Sequence, residues 1–443
     1  MVSWAKQLER ALAPSVVLVV AGCSGVGEPG DGFEDVDIEH GAIIGGTPIA
    51  DSDSALPQGA VVRFKDIESA SSGLAPLGCS AAKVGPTRYL TAAHCVDAWN
   101  ANFNAGVHIS NHPTAPLDTR ENEHTVVAVH SHPSWVIAQL AGDGFSLVGR
   151  YYDIALFDVE QTNSIPTLAV NGSPALYAPV VSTGLVSRLI GYGSGRKERG
   201  DNDAVNAPPA AFSVTHDPLV TRYTHFFWHD SPQSEPGDSG APLLNHDGTR
   251  WRISGVVSGG LLAGYVKHGR TLPIGSWIQN PSPLALATGS RGYLINGRSP
   301  ACLTQAGPTG NSLQWACYLP QADDGQRWTL QATSTANAFQ LKRGTSANCL
   351  GTASSAKGAM AVIQPCSTST NQRWEFRQRG AIDTELGNTA PGYVYYELRN
   401  VSTRFCLQPS GGSQTHGEFF VQSDCASSGS SPLKHPTSFV LVR

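Results

Sequence analysis

The sequence predicts an all-β protein of two unlike domains behind a short export segment. Three observations carry that expectation. The chain has 443 residues, and at roughly 100–200 residues per domain that length holds two or three domains with buried cores. It contains 47 glycines and 29 prolines, a usage that favours turn-rich β structure over helix bundles. Beyond residue 291 one pattern of leucine, cysteine and aromatic positions recurs three times, which marks a separate repeat architecture.

Composition excludes several classes. Apolar residues make up 40% and charged residues 15%, too apolar for a disordered chain. Thirty basic residues stand against 35 acidic ones, for a net charge of -5. With no basic surplus to neutralise phosphates, nucleic acid is not an expected partner.

The N-terminus reads as a signal peptide, residues 1–22. Lys6 and Arg10 precede an apolar run from Ala11 to Gly22, which is too short for the roughly twenty residues that span a bilayer. It ends Val20-Ala21-Gly22-Cys23. This resembles the lipobox of bacterial lipoproteins, which implies lipid attachment at Cys23; cleavage after Ala21 with Cys23 incidental is the alternative. Residues 23–42 carry Glu28, Asp31, Glu34, Asp35, Asp37 and Glu39 and no Lys or Arg, the composition of a solvated acidic linker or propeptide.

Eight further cysteines fall into neighbouring pairs: Cys79 and Cys95, Cys302 and Cys317, Cys349 and Cys366, Cys406 and Cys425. Such local even spacing suggests disulfides and an oxidising compartment. Zinc is the rival, without the CxxC knuckles it usually uses.

Residues 43–282 hold four motifs in a fixed order: Ile43-Ile44-Gly45-Gly46; Thr91-Ala92-Ala93-His94-Cys95 after the strand-like Arg88-Tyr89-Leu90; Asp153-Ile154-Ala155-Leu156; and Gly237-Asp238-Ser239-Gly240-Ala241-Pro242. Together, in the order His, Asp, Ser, they resemble the chymotrypsin/trypsin-like serine proteases. The resemblance implies a two-barrel chymotrypsin-like domain and a catalytic set of Ser239, His94 and Asp153. The chemistry explains the residue types. A serine hydroxyl is a poor nucleophile at neutral pH, so it needs a base within reach, and the base needs an orienting acceptor.

The resemblance also implies backbone N–H donors from Gly237 and Ser239 for the oxyanion, a Cys79–Cys95 bridge pinning His94, and Ser258 supporting the buried aspartate and presenting backbone to the substrate. Gly191-Tyr192-Gly193 matches the family's Gly-aromatic-Gly strand end. Activation would cut Ala42-Ile43 and pair the new Ile43 amine with Asp238. His40-Gly41-Ala42 lacks the Arg or Lys that often precedes that bond. Since Cys23 lies upstream of the cut, activation would release a tethered zymogen. Gln233 stands six residues before Ser239, where trypsin-like members specific for Arg or Lys carry an acid. A substrate pocket with Gln233, Ser258, Gly260 and Gly269 therefore points to an apolar or aromatic side chain. Glu235 replaces a frequent disulfide cysteine.

Some residues invite bland readings. His108 and His112, His130 and His132, and His225 and His229 have metal-compatible spacings without HExxH, so no metal or other cofactor is expected. Arg196-Lys197-Glu198-Arg199 reads as a solvated loop. Pro281 and Pro283 end any helix after Trp277-Ile278, and the stretch to Ser290 reads as a linker.

Residues 291–443 carry the repeat. Leu294, Leu341 and Leu398 each lie eight residues before Cys302, Cys349 and Cys406. Gln326-Arg327-Trp328 and Gln372-Arg373-Trp374 close two units, and in the third Phe439 is positioned for the same core site. The pattern resembles the ricin B-type β-trefoil, which implies a local disulfide per unit and carbohydrate binding. An Asp commonly follows the family's Cys-Leu pair, whereas this chain has Thr304, Gly351 and Gln408. Asn371 and Asp424 keep polar capacity, and a purely structural or other targeting role stands beside glycan binding.

The expected protein is thus an exported or lipid-anchored bacterial serine endopeptidase acting on protein or peptide substrates, with a lectin-like targeting domain. An adhesin with an inert protease fold is the alternative from the binding class. A glycoside hydrolase would need a carboxylate pair, and the sequence points to a Ser/His/Asp set instead.

Overall fold

The computed structural model describes residues 43–44, 47–50, 57–66, 78–96, 106–112, 122–140, 153–170, 187–193, 198–202, 226–229, 233–234, 237–246, 249–260, 266–270, 275–299, 301–305, 310–317, 325–344, 346–382, 392–415, 417–427 and 435–443. The signal peptide, Cys23, the acidic linker, Glu235 and His225 lie outside them.

Six antiparallel strands, Val61–Asp66, Cys79–Lys83, Arg88–Thr91, Ala155–Val159, Glu123–Ser131 and Gly106–Ser110, close in that order into a barrel. Inward-facing residues fill it: Phe157 lies 5.0 Å from Phe64 and 5.1 Å from Tyr89, ring to ring. One register matters for function. Thr91 pairs with Ala155, so the end of one strand meets the start of the other. The chain leaves toward His94 and enters from Asp153 at the same barrel mouth. The Arg88 guanidinium locks that register with two hydrogen bonds to Asp158, at 2.8 and 2.7 Å, a bidentate geometry that slippage would destroy.

The second half-domain is an eight-stranded sheet among the described residues. Its path runs Phe226–His229, Val266–Arg270, Trp251–Gly260, Pro242–His246, Ser187–Gly191, Glu198–Asn202, Thr47–Pro48, with Ala169–Val170 added in parallel to Trp251–Gly260. Here one expectation is corrected: Glu198 and Arg199 are not loop. They pair with Gly191 and Ile190 on one side and with Pro48 and Thr47 on the other. Backbone laddering from both neighbours overrides the charged composition, because strand propensity is decided by context.

Residues from Arg291 onward form a 12-stranded sheet system built from three similar units. Trp328 and Trp374 are fully buried in its core with Leu294, Leu341 and Leu398, and Phe439 occupies the same cluster. Both indole N–H groups donate to the carbonyl of a Cys-Leu leucine, Trp328 to Leu303 and Trp374 to Leu350, each at 2.9 Å. All four expected disulfides are formed, Cys79–Cys95, Cys302–Cys317, Cys349–Cys366 and Cys406–Cys425.

The helix Gly275–Gln279 ends just before Pro281, as expected. The stretch after it is not a free linker. Leu284 and Leu286 pack on the repeat core, and Trp277 and Ile278 share one buried cluster with Tyr293, Ile295, Tyr393, Tyr395, Val440 and Val442. Apolar side chains in this short connector supply the adhesion that its proline content concealed.

Candidate active site

Asp153 is completely buried and sits just before the strand Ala155–Val159. Its carboxylate receives three hydrogen bonds. The His94 backbone N–H donates to Oδ1 at 2.9 Å, while His94 Nδ1 and the Ser258 hydroxyl both approach Oδ2 at 2.7 Å. Burial alone pushes the Asp153 carboxyl up. The His94 charge and the hydrogen bonds from His94 and Ser258 outweigh it and hold the group below its ordinary value. An ionised acceptor at Nδ1 fixes the neutral ring with its proton on that nitrogen, which leaves Nε2 as a base.

His94 is carried by the short turn Ala93–Cys95, which follows Thr91 after the single residue Ala92. Its side chain remains 31% exposed, against 0% for Asp153, so the ring bridges a buried anion and the surface. Cys95 Sγ lies 3.8 Å from His94 Nε2 and 3.7 Å from the Ser239 carbonyl oxygen. The Gly237–Gly240 loop and His94 therefore meet at the same disulfide sulfur.

That loop has an unusual backbone. Gly237 and Gly240 have φ of +104° and +85°, where a side chain is strained. A Cβ on Gly237 would lie 2.1 Å from the Gly193 carbonyl oxygen, and one on Gly240 equally close to the Ser80 oxygen and Thr91 Oγ1. Asp238, fully buried, accepts the Gly193 N–H at 2.8 Å. Ile43 pairs with Ser234 and Ile44 with Gln233.

Comparison with known proteins fits this geometry. The Trypsin family model matches residues 55–272, and the model of the ricin-type beta-trefoil lectin domain matches residues 290–388. Residues 55–272 are a trypsin-family domain. The chain thus joins a serine protease domain to a lectin domain. No curated protein matches it. Among solved structures, the designed 3-fold symmetric protein ThreeFoil is 19% identical, with a TM-score of 0.27, covering 34% of this chain and 98% of that one.

Within the trypsin-family domain the residues expected to line the substrate pocket lie on paired strands. Ser258 lies at a register shift between Val257 and Gly259, and its side chain serves Asp153. Gly260 pairs with Val266, and Gly269 with Phe226 and Val256. Of the histidines considered for metal, His132 is wholly buried and held down to about 3 by burial, and His130 faces Asp158 at 3.6 Å. The two clusters of metal-compatible side chains among the described residues both rest on cysteines that are in disulfides, which removes the thiolates a cation would need.

In the lectin domain Thr304, after the first Cys-Leu pair, and the glutamines of the two Gln-Arg-Trp motifs are spent internally. Gln326 donates to the Thr304 hydroxyl at 2.8 Å, and Gln372 donates to the Pro365 carbonyl at 2.8 Å. Both glutamines and Thr304 are buried. Asp424 in the third unit is exposed and paired with Lys357.

One residue that sequence reasoning missed is Ser80. Its N–H donates to the Ser239 carbonyl, and its hydroxyl donates to the Gly237 carbonyl. A small polar residue beside Cys79 carries no periodic signal that would reveal those distant partners.

Proposed function

We propose that the chain is an exported serine endopeptidase in which Ser239 attacks the peptide carbonyl. His94 Nε2 takes the hydroxyl proton and returns it to the leaving amine, and Asp153 stabilises the imidazolium. The N–H groups of Gly237 and Ser239 receive the oxyanion. The observation that carries this reading is the buried Asp153 carboxylate, 2.7 Å from His94 Nδ1, in a chain whose GDSG loop contacts the same disulfide. Gln233 in place of an acid supports cleavage after apolar or aromatic residues rather than Arg or Lys. The Cys23 lipid and release by cutting before Ile43 rest on the sequence and belong to the same proposal. The lectin domain would direct the enzyme to a glycan-bearing partner through Asp424 and Gln408 of the third unit, whose counterparts in the first two units are buried or replaced.

A fluorophosphonate probe tests the central claim. Wild-type enzyme should be labelled at Ser239 and should digest casein; Ser239→Ala should do neither. An unlabelled wild type that also leaves casein intact would favour the inert adhesin. N-terminal sequencing of the mature form should read Ile43.

A further inference from the structure

Ser80 uses every hydrogen-bonding group it has. It is fully buried on the strand Cys79–Lys83. Its N–H donates to the Ser239 carbonyl at 2.8 Å, and its carbonyl accepts the Thr91 hydroxyl at 2.8 Å. Its own hydroxyl donates to the Gly237 carbonyl at 2.9 Å and accepts the Tyr192 N–H at 3.2 Å. One side chain therefore ties together three segments distant in sequence: the barrel strand beside Cys79, the Gly191-Tyr192-Gly193 strand end, and the nucleophile loop.

The Gly237 carbonyl needs such a hold. Gly237 lies at φ +104°, and glycine confers no preference for that conformation over its alternatives. Its carbonyl belongs to the peptide unit that follows the one bearing its N–H, so holding the carbonyl limits the rotation at Gly237 that links the two. With the carbonyls of both Gly237 and Ser239 bonded to Ser80, the two residues that offer oxyanion donors are each held at one end. Gly193 supports the same loop from below, through its N–H to Asp238. Donors fixed before the charge develops need no reorganisation at the moment of reaction.

We propose that the Ser80 hydroxyl is a positioning residue that preorganises the oxyanion hole by holding the Gly237 carbonyl. It does not touch substrate. This deepens the peptidase reading and rests on it. Ser80→Ala removes the hydroxyl and leaves the backbone bond to Ser239 in place. The expected result is a fall in kcat of about tenfold or more, smaller than the hundred- to thousandfold loss of a donor itself. KM for a peptide amide selected on the wild type should stay within about twofold.

Two inhibitors separate positioning from general damage. A peptide boronate, whose tetrahedral adduct places an oxygen in the hole, should lose affinity by about the same factor as kcat. A product peptide, which forms no adduct, should bind as before. Ser80→Cys, which restores a weak donor of similar size, should recover part of kcat. The proposal is overturned if kcat and boronate affinity are unchanged in Ser80→Ala, or if product and boronate affinities fall together. If Ser80→Ala does not fold, Ser80→Cys alone is held to the same split between kcat and KM. Failure of the underlying reading looks different: the wild type itself would then resist the fluorophosphonate.

Discussion

Trp277 and Tyr393 meet across the boundary between the two domains. The indole Nε1 donates to the phenol oxygen at 3.1 Å, and the Tyr393 hydroxyl donates to the Pro281 carbonyl at 3.1 Å. Both side chains are buried. On the protease side His132 packs edge-on against Trp277, ring centroids 4.8 Å apart, and the His132 N–H donates to the carbonyl of Ile154, the residue after Asp153. The lectin domain is thus joined by a shared core to the layer that supports Asp153.

Thermal unfolding should show this as coupling. Trp277→Ala should cost about 3–5 kcal/mol and lower the melting temperature of both domains together. Tyr393→Phe, which removes only the hydroxyl, should cost about 1 kcal/mol. Calorimetry of the full chain should give one transition; two transitions with only the first shifted by Trp277→Ala would refute the coupling.

Removing charge from the aspartate should be far more damaging to chemistry than to folding. Asp153→Asn keeps the shape but offers His94 the wrong hydrogen-bond partner, and kcat should fall about ten-thousandfold. Ser258→Ala removes one of three donors and should lower kcat by a much smaller factor, about tenfold, on the order of one charge-assisted hydrogen bond. Steady-state kinetics on a peptide amide reads both, and the ordering of the two effects is the critical result.

The 16-residue separation of Cys79 and Cys95 predicts a loss of about 3 kcal/mol in the double variant Cys79→Ser, Cys95→Ser. Urea titration measures it. Because Cys95 follows His94 and contacts the Ser239 carbonyl, activity in this variant should fall even at temperatures where the fold persists.

His132 sets an acid sensitivity. Its folded-state pKa of about 3 lies below the unfolded value of 6.5, so the unfolded chain binds the proton more readily. Stability is therefore complete above pH 6.5 and is lost as the pH falls from 6.5 toward 3, at up to about 1.4 kcal/mol per pH unit. The Asp153 contribution is lost separately, below the ordinary carboxylate value, since its folded pKa is depressed. Melting curves between pH 7 and 4 should fall less steeply for His132→Asn than for the wild type. Equal slopes would show that His132 does not control this window.

Much of the fold was legible because its signals are local. Leucine-to-cysteine intervals, paired cysteines and the QRW tripeptides report repeating hairpins and short closed loops, and the structure places Trp328, Trp374 and Phe439 in one core. Charge misled at Glu198 and Arg199, where ladder partners on both sides decide the conformation. The packing of the connector after Trp277 was not legible, because a connector's composition says nothing of the surface it lies on.

By itself the sequence determined the order of the motifs that hold His94, Asp153 and Ser239, whose resemblance to the serine proteases implies their roles, and the threefold plan of the second domain. The repeat follows from spacing along the chain. Only the tertiary structure decided that Thr91 and Ala155 share a register which delivers His94 to Asp153, that Ser80 grips the Gly237 loop, and that Trp277 is buried against Tyr393. Such contacts join residues many positions apart. Close packing selects them from the whole folded chain, and no short-range periodicity encodes them.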